Sequence, residues 1–230
     1  MDDDDEWLPE KLEKQIAKFN ERDERTALVY CRSYVMNDEG KIIGMEFESP
    51  GKKRPLHEGG VYDKLILFDF VGTCTNPMIR IKCLLNSGGW DETMPARQDW
   101  ETWLRIARRY EISYVDEGLM IYHAHTGEHL GWNPITQRIG FEMILANNWD
   151  YIKGNKYAYG NLLMMIATQY ARSGEYWQSI KTELKAISLQ PLRIKENTKT
   201  LLRPLLLMIS PKLFQWLKNI KRKLKGENIN

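Results

Sequence analysis

Three groups of residues in this chain are of the types and spacings that do chemistry. The first is the opening run Asp2-Asp3-Asp4-Asp5-Glu6, where adjacent carboxylates repel one another unless a cation neutralises them. A divalent metal is the simplest remedy, and a solvated acidic end is the plain alternative. The second is Asp99, within Arg97-Gln98-Asp99-Trp100-Glu101-Thr102-Trp103-Leu104 at the start of a helical pattern. A carboxylate in the first turn of a helix is stabilised by the aligned backbone dipoles, so Asp99 should be ionised and ready to accept a proton at neutral pH. An ordinary acidic helix start above a tryptophan-rich core is the structural alternative. The third is Ile121-Tyr122-His123-Ala124-His125. In a strand, residues two apart share a face, so both histidines could approach one metal, with His129 further on. No cysteine or carboxylate is spaced to complete four zinc ligands, and hydrogen-bonded histidines are the commoner outcome.

In this order the three groups resemble segments of the family-two inverting glycosyltransferases with the GT-A fold. Asp2 to Leu12 is similar to that family's metal-binding motif and the helix after it. The resemblance implies that Asp2 faces a nucleotide sugar such as a UDP-sugar. It further implies that Asp4, with Asp5 beside it, ligates Mn²⁺ or Mg²⁺ at the diphosphate; four identical residues leave the register open by one. Gly88-Gly89-Trp90-Asp91-Glu92 and the run from Arg97 to Ala107 are similar to the acceptor-side segment. Asp99 then holds the place of the base that deprotonates the acceptor hydroxyl, and Asp91, Glu92, Trp100 and Arg105 fall on the acceptor side. Tyr122 to His125 resembles a segment near the end of the catalytic domain, with His125 at the family's histidine close to donor and metal, and His123 where arginine is commoner. The likeness covers residues 1 to 130 and implies an α/β fold: an incomplete, Rossmann-like GT-A domain whose first βαβ units would precede Met1. The implied partners are a nucleotide-sugar donor and a glycan or lipid-linked acceptor. Two rival readings stand beside sugar transfer. One is an inactive or split-enzyme fragment lacking its nucleotide-binding half, and the other is a noncatalytic helical interaction protein.

The elements that must position these residues follow from periodicity. Pro9 suits a first helical turn, and Leu12, Ile16 and Phe19 mark one buried stripe of a helix ending near Glu21 to Glu24. Ala27 to Cys31 reads as a strand, and Asn37-Asp38-Glu39-Gly40 as a turn into a second strand at Lys41 to Gly44. Leu65 to Val71 is an apolar run that Thr73 to Ile81 could extend as strand, and Gly88-Gly89 breaks the chain. Trp100, Trp103, Leu104 and Ala107 are spaced as a helix, and residues 112–115 and 119–122 as two short strands. Beyond Gly131 only helical patterns remain, around 139–147, 159–172 and 177–189. The last two look like one tetratricopeptide-type helix pair, which alone cannot bury a continuous core and must pack on something else. The expected divisions are residues 1–130, 131–200 and 201–230.

Composition narrows the classes. At 230 residues and 43% apolar, the chain can bury one core with an appendage. Lys and Arg number 33 against 31 Asp and Glu, which excludes the global basic field of a nonspecific nucleic-acid binder. Cys31, Cys74 and Cys83 show no paired spacing and no secretory signal precedes them, so free thiols in a reducing cytoplasm are expected. The apolar run Leu205 to Ile209, between two prolines, falls far short of the roughly 20 residues of a spanning helix. In the tail, Leu213, Trp216, Leu217, Ile220 and Leu224 fall on one helical face and Lys218, Lys221, Arg222 and Lys225 on the other. That pattern suits an interfacial helix on anionic lipid, which would place the protein peripherally on the inner face of a membrane; docking on the protein itself is the alternative.

Overall fold

The structure, a computed structural model, describes residues 4–46, 55–124 and 133–190. The chain divides between Leu130 and Gly131 into two units, each with its own packing.

The first unit runs β1 (Glu6–Trp7), α1 (Lys11–Asn20), β2 (Thr26–Asn37), β3 (Ile42–Met45), α2 (Tyr62–Leu65), β4 (Met78–Ile79), α3 (Ile81–Asn86), α4 (Gln98–Ala107) and β5 (Glu111–Ala124). Among the described residues these strands form one mixed sheet in the order β1-β5-β2-β3, and β4 also pairs with β2. The centre is the parallel pair of β2 and β5, running from Thr26 opposite Glu111 to Asn37 opposite Ala124. The other three pairings are antiparallel. Residues Ala27 to Cys31 of β2 have no exposed surface, as expected of a central strand covered on both faces, where apolar residues run continuously. At its far end β2 turns into β3 through Gly40, whose φ of 73° lies in the left-handed region that glycine adopts without a Cβ penalty.

Four expectations are corrected here. Helix α1 turns Lys11, Gln15 and Phe19 inward, while Leu12 and Ile16 are 45% and 50% exposed. Polar chemistry overrides the apolar stripe. Gln15 Nε2 donates to the Val29 and Asn76 carbonyls (2.8 and 3.1 Å), and the Lys11 ammonium donates to Gln15 Oε1 (2.8 Å). That ammonium also sits 4.3 Å from the centroid of the Trp7 ring, a cation–π contact that offsets part of its burial. The run from Leu65 to Val71 is not a strand: it ends α2 and then turns, burying Leu65, Ile66, Phe70 and Val71 without alternation. Between Thr73 and Ile81 only Met78–Ile79 is extended, held by its pairing to Leu28 and Val29. The two short strands expected between 112 and 122 are one, β5, which stays on β2 through register shifts around Arg32.

The second unit holds α5 (Pro134–Asn147), α6 (Trp149–Ile152), α7 (Lys156–Arg172) and α8 (Tyr176–Leu189). Asn133 and Asn155 cap α5 and α7 by accepting from the amides two and three residues on. Helices α7 and α8 form an antiparallel pair joined at Gly174 (φ 84°), and Ser179 Oγ donates to the Ala167 carbonyl (2.8 Å) across it. What this single pair packs on is α5, which lies against α7 with Phe141 and Ile144 buried and Tyr170 donating to Glu142 Oε1. No helix among the described residues is long and apolar enough to cross a membrane. The tail at 201–230 lies outside the described residues.

Candidate active site

Helix α4 begins abruptly. Arg97, at φ 65°, is the only non-glycine residue with positive φ among those described, and such a conformation costs on the order of 1 kcal/mol. The turn it makes puts Asp99 in the first helical turn, half-buried, with Oδ1 accepting from the Trp100 amide at 2.7 Å. The helix is fixed by its two tryptophans. Trp100 Nε1 donates to the Leu65 carbonyl (2.9 Å) and Trp103 Nε1 to the Gly72 carbonyl (3.0 Å). Both indoles are buried, so Trp100 serves as a peg for Leu65 instead of a surface for an acceptor.

The segment so pinned carries a carboxyl that sequence reasoning missed. Asp69 Oδ1 accepts from the Val71 and Gly72 amides, each at 3.1 Å, and closes a tight turn. Burial pushes the Asp69 carboxyl up to about 8, and the charges of Asp99 and, less strongly, Glu46 add to the effect. Glu46 follows β3, where its amide donates to the Ser33 carbonyl at 2.9 Å. Asp99 and Glu46, from two other segments, thus both bear on Asp69. The available signal was Asp69 itself, the one charged residue in the apolar run Leu65 to Val71.

The remaining acceptor-side residues divide. Arg105 is spent on structure: Nε donates to Glu101 Oε2 (2.7 Å), and Nη1 and Nη2 donate to the Ser87 and Gly89 carbonyls (2.5 and 2.7 Å). It ties α4 to the Gly88-Gly89 turn, whose φ angles of 96° and 67° need glycine. Asp91 Oδ1 accepts from the Thr93 amide and hydroxyl (3.0 and 2.6 Å), which lowers its pKa and stiffens the loop. Glu92 is exposed, and so in part is Trp90, whose ring meets that of Trp103 edge-on at 5.4 Å.

At the opening acidic run, Asp4 is exposed and Asp5 is 7% exposed. Asp2 lies outside the described residues, as does His125. Two residues after Asp5, Trp7 Nε1 donates to the Thr75 carbonyl at 3.1 Å. Beside Thr75, Asn76 is buried and bridges to β2: its Oδ1 accepts from the Cys31 amide (2.8 Å), and its Nδ2 donates to the Cys31 carbonyl (3.0 Å) and Ser33 Oγ (2.8 Å). The segment 69–76 therefore touches both the strand that follows Asp4-Asp5 and the helix that begins beside Asp99. The third group joins the first through the sheet, since Glu6 pairs with Ile121 and His123 Nε2 lies 2.8 Å from Glu6 Oε1. That contact gives His123 a carboxylate neighbour. Among the described residues no group of three or more His, Cys, Asp or Glu side chains converges to hold a metal ion.

No protein-family model matches the chain. Over 127 residues it is 24% identical to an uncharacterized glycosyltransferase of Rickettsia felis and 23% identical to one of Rickettsia conorii. In each case the match covers 54% of this chain and 20% of the relative, so the chain spans about a fifth of the length of the curated relatives it matches. The likeness supports a relationship to glycosyltransferases, and the open mixed sheet with its helices is compatible with an α/β fold of that kind.

Proposed function

We propose that this chain carries the acceptor-side machinery of an inverting GT-A glycosyltransferase, hexosyltransferase-like, which moves a sugar from a nucleoside diphosphate to a glycan or lipid-linked hydroxyl. The observation that carries the reading is the placement of Asp99: half-buried in the first turn of a helix pegged by two indoles, beside a second carboxyl, on a segment that also meets the strand after Asp4-Asp5. A carboxylate fixed in this way can take the proton of the acceptor hydroxyl as its oxygen attacks the anomeric carbon in line and the bond to the diphosphate breaks. Inversion needs no covalent enzyme intermediate.

For Mn²⁺ or Mg²⁺ the fit is partial. Asp4 is exposed and of the right chemistry, and Asp5 stands next to it, but the described residues alone supply no three-ligand set. In this proposal Asp4 and His125 would hold the ion. When bound, the ion offsets charge on the leaving group. The role of Asp99 does not depend on it.

The test is hydrolysis or transfer from a panel of UDP-sugars in Mn²⁺ by the full chain and by Asp99→Asn. The substitution should lower kcat by on the order of 10²- to 10⁴-fold, the usual share of a general base. Equal turnover by the two proteins would refute the assignment of Asp99.

A further inference from the structure

At the end of the sheet where β2 and β5 begin, the first unit holds a cavity of about 560 Å³, a size that suits a small molecule. It is well apart from Asp99. That residue opens α4, whereas Tyr110, in the cavity wall, lies just past the other end of the helix, roughly 15 Å away along its ten residues. The wall is built around Arg80. Its Nε donates to the Thr26 carbonyl at 3.0 Å, and its guanidinium sits 4.7 Å from the centroid of the Phe19 ring, so the fork is fixed at its root and on one face. Nη1 and Nη2 meet no acceptor among the described residues. Two residues on, Lys82 is exposed and adds a second positive charge to the same wall. The Asn86 amide donates to the Tyr110 hydroxyl at 3.3 Å, a long bond that a better acceptor can displace. Glu24 contributes the one carboxylate of the lining, and Ile81 and the Cys83 thiol contribute its apolar part.

We propose that this cavity is a second binding site, separate from Asp99, for a small hydroxylated anion: a sugar unit that carries a carboxylate or a phosphate. The fork of Arg80 decides the charge. A planar guanidinium with both outer nitrogens bare matches two oxygens of one oxyanion, and because it is already held on Thr26 and Phe19 little freedom is lost when the ligand arrives. With Lys82 against Glu24, the lining carries two cations and one anion, a balance that favours a single negative group. The other groups decide what that charge is attached to. Glu24 can only accept, so it repels a second oxyanion but takes the protons of hydroxyls, while Asn86 and Tyr110 both donate and accept. Ile81 and Cys83 lie where the C–H face of a ring needs apolar contact. An apolar molecule would leave the fork and the carboxylate unsatisfied, and a bare oxyanion would leave Glu24 without a donor. This inference does not depend on the sugar-transfer reading.

The experiment is an NMR titration of the ¹⁵N-labelled full chain, at neutral pH and without nucleotide sugar or metal, with glucuronate, glucose 6-phosphate, inorganic phosphate and glucose. Glucuronate or glucose 6-phosphate should shift the amides of residues 80–86 and of Tyr110 saturably at millimolar concentration, and the tighter of the two identifies the anionic group. Inorganic phosphate should bind more weakly than glucose 6-phosphate, and glucose should leave these amides in place. Arg80→Lys keeps the charge and the stem over Phe19 but loses the fork, and it should weaken binding by about ten- to a hundredfold. Lys82→Glu alters an exposed side chain with no hydrogen bond among the described residues and should also weaken binding, so the matter is decided even if Arg80→Lys does not fold. The proposal is overturned if neither anionic sugar shifts these amides saturably or if glucose or inorganic phosphate binds as tightly as glucose 6-phosphate. Affinity unchanged in the folded variants would overturn it as well.

Discussion

A single amide side chain does much to hold the site's framework. Asn76 makes three buried hydrogen bonds to β2, and its carbonyl receives Gln15 from α1, so one residue joins the helix, the central strand and the segment that leads to Asp69. Asn76→Ala should leave the Cys31 amide and carbonyl without these partners at a cost of about 2–4 kcal/mol, read as a lower midpoint in urea unfolding of the full chain. A loss under 1 kcal/mol would mean that water replaces the amide. Neither Asn76 nor Asp69 was legible in the sequence. One polar residue beside an apolar run looks like a loop or a strand end, and nothing in the spacing says that its partners are 43 to 45 residues away. Asp99 was legible because a helix start is a local event, written in the residues next to it. Lys11 and Gln15 were misread for the opposite reason: periodicity weighs hydrophobicity, and their inward placement depends on a carbonyl of β2, a carbonyl at Asn76 and a tryptophan face that the helix alone does not announce.

At the scale of elements, helices were read better than strands. The pattern for α4 and for the α7–α8 pair holds over ten or more residues, whereas 65–71 is an apolar stretch with no period, and burial alone does not say whether a helix end, a turn or a strand will use it. Helix α8 also contains a cost. Glu183 is 1% exposed, neither of its oxygens has a hydrogen-bond partner, and Ile180 and Ala186, one turn to either side, are buried with it. Burial raises its pKa to about 7 from the model-peptide value of 4.5. The folded chain therefore holds this proton more tightly than the unfolded chain, so stability is highest below pH 4.5, declines as pH rises toward 7, and levels off above. Glu183→Gln removes the charge and should raise stability by about 2–3 kcal/mol at pH 8, with the advantage vanishing near pH 4. Urea unfolding at the two pH values measures this, and a difference that does not depend on pH would show that Glu183 finds a partner.

For the whole molecule, the two units pose different questions. The first contains the candidate site; the second is a set of helices in which one hairpin leans on α5. The chain's basic, apolar tail, residues 201–230, gives the proposed attachment to anionic lipid its basis in sequence. Flotation with vesicles of phosphatidylglycerol and phosphatidylcholine should carry the full chain upward and leave a chain ending at residue 200 at the bottom, with the difference shrinking as salt screens the charge. Equal flotation would end the idea. The way α4 is seated bears on how the proposed transferase would change its substrate. A rod pegged at two points less than a turn apart can neither slide nor roll without pulling a peg, so the bearing of its leading acid is set from within the core. The Trp90 rim is partly exposed and only leans edge-on on the Trp103 ring, whose own hydrogen bond to the Gly72 carbonyl sets the anchorage. In the proposed transferase its outline can be recut to admit a different sugar while the aim of the reaction stays where it was.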